Sequence, residues 1–253
     1  MKKRYLSLIG IFLLFTFFAT LACKKEKESS TAIGPRNTSD TMTNKDTTAI
    51  VPITGLKFLA LGDSYTIGQN VDQQERFPAQ TVNLLKKQQI EVADVEYIAT
   101  TGWTTTNLLS AIEVQKPAKD FDIVTLLIGV NNQYQQGDAA VYRKEFAALL
   151  DLAVNFAKGK KPRVFVLSIP DYSATPYVRA EDKASVSRQI DDFNAINREV
   201  TTRSNITYLD ITPSSKLAAN DSSLIADDGL HPSGKEYAVW ASLLAPAIKK
   251  ALQ

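Results

Sequence analysis

The stretch FDIVTLLIG, residues 121–129, decides the fold. It is apolar and β-branched almost throughout, without the polar alternation of a half-exposed strand, so it reads as a strand covered on both faces. Four other runs share its character: KFLALG (57–62), VEYIAT (95–100), RVFVLSI (163–169) and ITYLDI (206–211). Helical periodicity fills the intervals in FPAQTVNLLKKQQ (77–89), TTNLLSAIEVQ (105–115), AAVYRKEFAALLDLAVNFAKG (139–159), SVSRQIDDFNAINREVTTR (185–203) and SGKEYAVWASLLAPAIKKAL (233–252). Strand–helix units in unbroken succession predict an α/β protein, a parallel sheet with helices on both faces. No internal repeat is visible.

In such a sheet, ligands and catalytic groups gather in the crevice at the carboxyl ends of the strands. The residues just past each strand are therefore the informative ones. They are GDSY (62–65), TGW (101–103), GVNN (129–132) and, on the approach to the last helix, DDGLHPSG (227–234), which holds the only histidine of the chain.

These blocks, in this order, resemble those of the SGNH hydrolases, a branch of the GDSL-type esterases and lipases. Ser64 stands in GDS, Gly102 in its own block, Asn131 in GVNN and His231 in DGLH. The match runs from about Lys57 to the C-terminus. Two positions depart from the family pattern: Tyr65 takes the fourth place of GDSL, and Asn132 replaces the aspartate of GxND. The resemblance implies a flavodoxin-like three-layer α/β/α sandwich with a five-stranded parallel sheet, and a serine esterase that needs neither cofactor nor metal.

The chemistry accounts for the residue types. A serine hydroxyl is a poor nucleophile at its own pKa, so it needs an adjacent base, and the base needs a third group to hold its tautomer. Ser64, His231 and Asp228 are expected to fill these roles as a triad, with Asp228 folding back on the imidazole three residues later. Gly229 would allow the tight turn between acid and base, and Pro232 is expected as the first residue of the final helix. For the oxyanion, the resemblance implies the backbone N–H groups of Ser64 and Gly102 and the side-chain amide of Asn131. Asp63 is expected to support the turn and Asp227 to be solvated. Tyr65 and Trp103 read either as the lining of an acyl or sugar pocket or as core.

Composition narrows the alternatives. The 253 residues, 44% hydrophobic and 22% charged, suit one domain with a tail and exclude disorder of the whole chain. Without Lys2, Lys3 and Arg4, which lie in a removable segment, the 29 basic residues fall to 26 against 27 acidic ones, so nothing electrostatic favours nucleic acid. One histidine and one cysteine cannot build a zinc cluster. A flavodoxin-like binding module would need a Ser/Thr/Gly-rich phosphate loop, of which GDSYTIGQN (62–70) is only a loose version. A catalytically inactive surface lipoprotein that binds carbohydrate or another ligand on the same fold is the other alternative, and intact Ser64, Asp228 and His231 argue against it. The short loops after strands two to four, of which 170–185 is the longest, favour an open cleft for short-chain acyl esters of carbohydrate or lipid. The enzyme is expected to be a monomer.

The N-terminus MKKRYLSLIGIFLLFTFFATLAC (1–23) has a basic start and an apolar run, the pattern of a signal peptide over 1–22. Leu21-Ala22-Cys23 resembles the end of a bacterial lipobox, with Thr20 where that pattern prefers Leu. The resemblance implies lipidation at Cys23, hence an exported protein anchored to a bacterial membrane on its periplasmic or cell-surface side. Residues 23–54 are rich in Lys, Glu, Ser, Thr, Asn and Asp and read as a flexible tether, with a reach of roughly 30 Å. Residues 55–253 are the expected hydrolase domain.

Overall fold

A computed structural model describes residues 53–253; the expected signal segment, Cys23 and nearly all of the tether lie outside the described residues. The sheet has five strands, β1 (Ile53–Gly62), β2 (Ile90–Ala99), β3 (Ile123–Leu127), β4 (Val164–Leu167) and β5 (Thr207–Leu209). All neighbours are parallel, in the order β2-β1-β3-β4-β5. The helices are α1 (Ser64–Ile67), α2 (Phe77–Lys86), α3 (Thr105–Gln115), α4 (Val130–Tyr134), α5 (Ala139–Phe156), α6 (Lys183–Arg203), α7 (Thr212–Ser215) and α8 (Gly234–Leu252). Helix α2 packs with α8, while α3 packs with α5 and α5 with α6, so that the two groups cover the two faces of the sheet. This is the sandwich expected from the alternation of runs. None of the helices in the described residues is long and apolar enough to cross a membrane.

Burial explains which strands the sequence announces. Every residue of β3 is buried, as are Phe58, Leu59, Ala60 and Leu61 in β1. A strand covered on both faces must be apolar throughout, and each large side chain removed from water there contributes roughly 1.5–3 kcal/mol. Strand β2 differs because it is an edge. Its first half exposes Glu91 and Asp94 and begins at Ile90, five residues ahead of the apolar run that marks it in the sequence. Charges along an edge keep it from pairing with another chain, and they also hide it from a search for apolar runs.

Helix ends follow their caps. The Thr104 hydroxyl accepts from the Asn107 N–H and opens α3 at Thr105, where the pattern predicts it. Asp138 accepts from the N–H groups of Ala140 and Val141 to open α5. The expectation for Pro232 is corrected: α8 begins at Gly234, because the Ser233 hydroxyl takes the N-cap and accepts from the Glu236 N–H. Pro232 instead forms an antiparallel bridge with Ile225, ahead of the helix.

Candidate active site

Strand β1 lies between β2 and β3, so the connections on its two sides run in opposite directions and open a crevice at the carboxyl ends of β1 and β3. At the end of β1 the Asp63 side chain, buried, accepts from the Tyr65 N–H at 3.0 Å, and its carbonyl accepts from Thr66 and Ile67. Ser64 is thereby set as the first residue of α1, where a backbone N–H has no intrahelical partner. The other Asp63 carboxylate oxygen is buried without a partner. Burial pushes this carboxyl up to about 7, against the opposing effect of the Tyr65 N–H.

Across the crevice, the loop before α8 is held by hydrogen bonds from Ala226 N–H to the His231 carbonyl (2.7 Å) and from Ser233 N–H to the Leu224 carbonyl (2.9 Å). Within it Gly229 takes a left-handed φ of +71°, and the chain doubles back so that His231 Nδ1 lies 2.5 Å from Asp228 Oδ2. Asp228 also accepts from the backbone N–H groups of Leu230 and His231 at 3.0 and 2.9 Å and from the Asn70 side-chain amide. Burial raises the Asp228 carboxyl, but the hydrogen bonds from His231 and Leu230 outweigh it and hold the group at about 2. An ionised carboxylate on Nδ1 makes that nitrogen the donor and leaves Nε2 as the acceptor.

The two asparagines of GVNN do different work. Asn131 donates its amide to the Trp103 carbonyl at 3.0 Å, which ties α4 to the segment carrying Gly102 and leaves one amide hydrogen for another acceptor. Asn132 is buried; its oxygen accepts from the Thr105 N–H (3.0 Å) and its nitrogen donates to the Thr105 hydroxyl (2.8 Å). That hydroxyl in turn reaches Glu145 Oε2 at 2.5 Å. An aspartate here could only accept from Thr105, so the asparagine reverses the direction of one hydrogen bond and turns the threonine proton towards Glu145. Gly102 has φ +82° and open space where a Cβ would be, so the need for glycine is in its backbone angle.

Ser64, Gly102, Asn131 and His231 line one cavity of about 150 Å³, and Asp228 stands behind His231. Tyr65 is buried and lines the cavity as well, its ring centroid 5.5 Å from that of His231 and 6.3 Å from that of Trp240. Trp103 is half-buried and packs against the core. Asp227 is exposed. Val130 and Leu230, inside the GVNN and DGLH blocks, also line the cavity, and three lining residues escape a sequence reading: Tyr134, Tyr172 and Tyr177. The tyrosines follow β3 and β4, where the strand-end rule points, but residue type alone does not separate them from core aromatics. Asn70 is found only in three dimensions, since 158 residues separate it from Asp228. Among the described residues no cluster of three or more His, Cys, Asp and Glu side chains is arranged to hold a metal.

A five-stranded parallel sandwich with this crevice is the fold of the GDSL and SGNH hydrolases. The sequence model of the GDSL-like lipase/acylhydrolase family matches residues 60–239, and the chain belongs to that family, whose chemistry is hydrolysis of ester bonds. Three solved structures share the fold at low identity. A lipase/acylhydrolase from Enterococcus faecalis superposes with a TM-score of 0.58 at 17% identity, covering 77% of this chain and 96% of its own. The psychrotrophic esterase EstA from Pseudoalteromonas sp., in a structure inhibited by monoethylphosphonate, gives 0.56 at 17%, covering 78% and 98%. A variant of an acetyl xylan esterase from Geobacillus stearothermophilus gives 0.54 at 21%, covering 78% and 96%. No curated protein matches the sequence significantly.

Proposed function

We propose that this enzyme hydrolyses short-chain acyl esters through Ser64, His231 and Asp228. The observation that carries the reading is the 2.5 Å contact between His231 Nδ1 and Asp228 Oδ2, with the ring lining the cavity that Ser64 also lines. As Ser64 Oγ attacks the acyl carbon, its proton passes to His231 Nε2 and Asp228 stabilises the imidazolium. The oxyanion accepts from the N–H groups of Ser64 and Gly102 and from the Asn131 amide hydrogen that Trp103 leaves unused. His231 then returns the proton to the departing alcohol. Water, activated by the same imidazole, releases the carboxylic acid and restores the serine.

The cavity favours a small acyl group. At about 150 Å³ it is comparable to a void that holds one benzene-sized molecule, well short of a long alkyl chain. Acetyl transfer to water by the acetyl xylan esterase of the same fold is consistent with this size. We further propose that Cys23 is lipidated and that the enzyme works as a monomer on the exported side of a bacterial membrane, the tether holding the domain off the bilayer.

Hydrolysis of 4-nitrophenyl acetate, butyrate and octanoate by the wild type and Ser64→Ala tests the reading. Acetate or butyrate should be preferred, and Ser64→Ala should lose at least roughly 10³-fold in kcat. A wild type no faster than Ser64→Ala on all three would leave the inactive ligand-binding protein as the better description. A serine-directed phosphonate should add to one residue of the wild type and to none of the variant.

A further inference from the structure

We infer that Tyr134 and Tyr177, with the groove beyond them, form a subsite for the pyranose rings of a neutral acylated oligosaccharide; this rests on the esterase reading above. Among the described residues these are the exposed aromatic side chains, Tyr134 at 55% and Tyr177 at 50%, while the other Phe, Tyr and Trp rings are buried or half-buried. They come from different segments, one from α4 and one from the 170–185 loop, yet meet at the mouth of the catalytic cavity. Their hydroxyls lie 3.1 Å apart and their ring centroids 6.5 Å apart. Tyr172 packs edge-on to Tyr134, and its hydroxyl donates to Gln133 Oε1 at 2.9 Å, so the pair stands on a fixed base. Two rings held exposed at the entrance of a site offer an apolar face to a ligand at little further cost in ordering.

The pair also borders a second depression. On the side away from Ser64 the same tyrosines line a groove of about 500 Å³, within the range of about 300–1,000 Å³ typical of small-ligand sites. Its remaining wall sets the polar side chains of Gln136, Gln189, Arg179 and Asp182 beside the apolar Val178 and Val186. Side-chain amides both donate and accept, as sugar hydroxyls do, whereas the C–H face of a pyranose is apolar and suits an aromatic ring. Arg179 binds Asp182 through Nε and Nη2 at 2.9 and 2.7 Å, so the charges in the groove compensate one another and favour a neutral glycan over an anionic one. An alkyl chain laid there could touch Val178 and Val186 but would also take water from the amides and the ion pair without replacing their hydrogen bonds, whereas a sugar ring meets both kinds of group. The small cavity therefore receives the acyl group and the groove the sugar units attached to it.

The test uses the full chain with 4-nitrophenyl acetate and partially acetylated xylohexaose as substrates, and unacetylated xylohexaose, cellohexaose and mannohexaose as ligands for Ser64→Ala in calorimetry. Tyr134→Ala and Tyr177→Ala should each lower the ratio of kcat/KM on the hexaose to kcat/KM on the aryl acetate tenfold or more, mainly through KM. Tyr177→Trp, which restores a ring, should recover most of that loss, and Leu217→Ala, exposed elsewhere, should leave the ratio as it is. At least one oligosaccharide should bind to Ser64→Ala, and the added Tyr177→Ala should abolish its binding. Equal losses on both substrates, losses that appear with octanoate in place of the hexaose, or failure of all three oligosaccharides to bind would overturn the inference. Should the wild type hydrolyse no ester at all, the esterase reading fails, and calorimetry still decides the subsite by itself.

Discussion

His231 is the only histidine of the chain, so its removal leaves no other imidazole to stand in as base. Ser64→Ala and His231→Ala should each remove nearly all activity, and the double variant should lose little more, since nucleophile and base act as one unit. Near-normal ester hydrolysis by His231→Ala would sink the triad. The neighbouring asparagines should separate by readout. Asn131→Ala should lower kcat by roughly 10²–10³ with little change in KM, as expected when one oxyanion donor is lost. Asn132→Ala should act mainly on stability, by roughly 1–3 kcal/mol in urea unfolding, because it leaves the Thr105 N–H without its buried partner. If Asn132→Ala proved the worse for kcat while the fold remained intact, the oxyanion donor would be misassigned.

At the scale of single elements, α1 carries a titratable cap. Asp63 opens that four-residue helix from a fully buried position, and burial pushes its carboxyl up to about 7. The unfolded chain releases that proton near pH 3.9, whereas the folded chain keeps it until about 7. Between these values the folded state binds more protons, so this residue's contribution to stability is full below about pH 4, declines as pH rises and is lost above about 7. Asp63→Asn keeps an acceptor for the Tyr65 N–H and should flatten the fall of Tm between pH 4 and 7; an unchanged slope would show that Asp63 does not titrate there. Asp228 works in the opposite sense, its carboxyl being held at about 2, so its stabilising contribution is present above about pH 4 and lost as pH falls through 2. Elements also differ in how legible they are. Strand β3 is apolar because both its faces are covered, and α3 is framed by its own cap, so both stand out in the sequence. The first half of β2 does not, because edge charges mask it; the run of α8 is legible to within a residue, and only the reading of Pro232 as its first residue fails, since Ser233 takes the cap.

For the molecule as a whole, the proposed tether and lipid anchor lead to a prediction about location. If Cys23 is lipidated, the native protein should partition into the detergent phase, and Cys23→Ala should change its processing; a wholly soluble wild type would defeat the proposal. Limited proteolysis should remove the proposed tether ahead of β1 and leave esterase activity intact. What the amino-acid sequence determined alone is the order of strands and helices and the residue types at each strand end, because continuous burial demands apolar runs and because nucleophilic catalysis demands a base and an orienting acid. Asp228 and His231 are legible for the further reason that their contact is local, three residues apart on one turn. Only the tertiary structure decided what comes from distant parts of the chain: that Asn70 holds the Asp228 carboxylate, that Asn132 has turned the Thr105 hydroxyl towards Glu145, and that tyrosines following two different strands meet at one mouth. None of these contacts leaves a local pattern, since each side chain is chosen for a partner that only the packed sheet brings within reach.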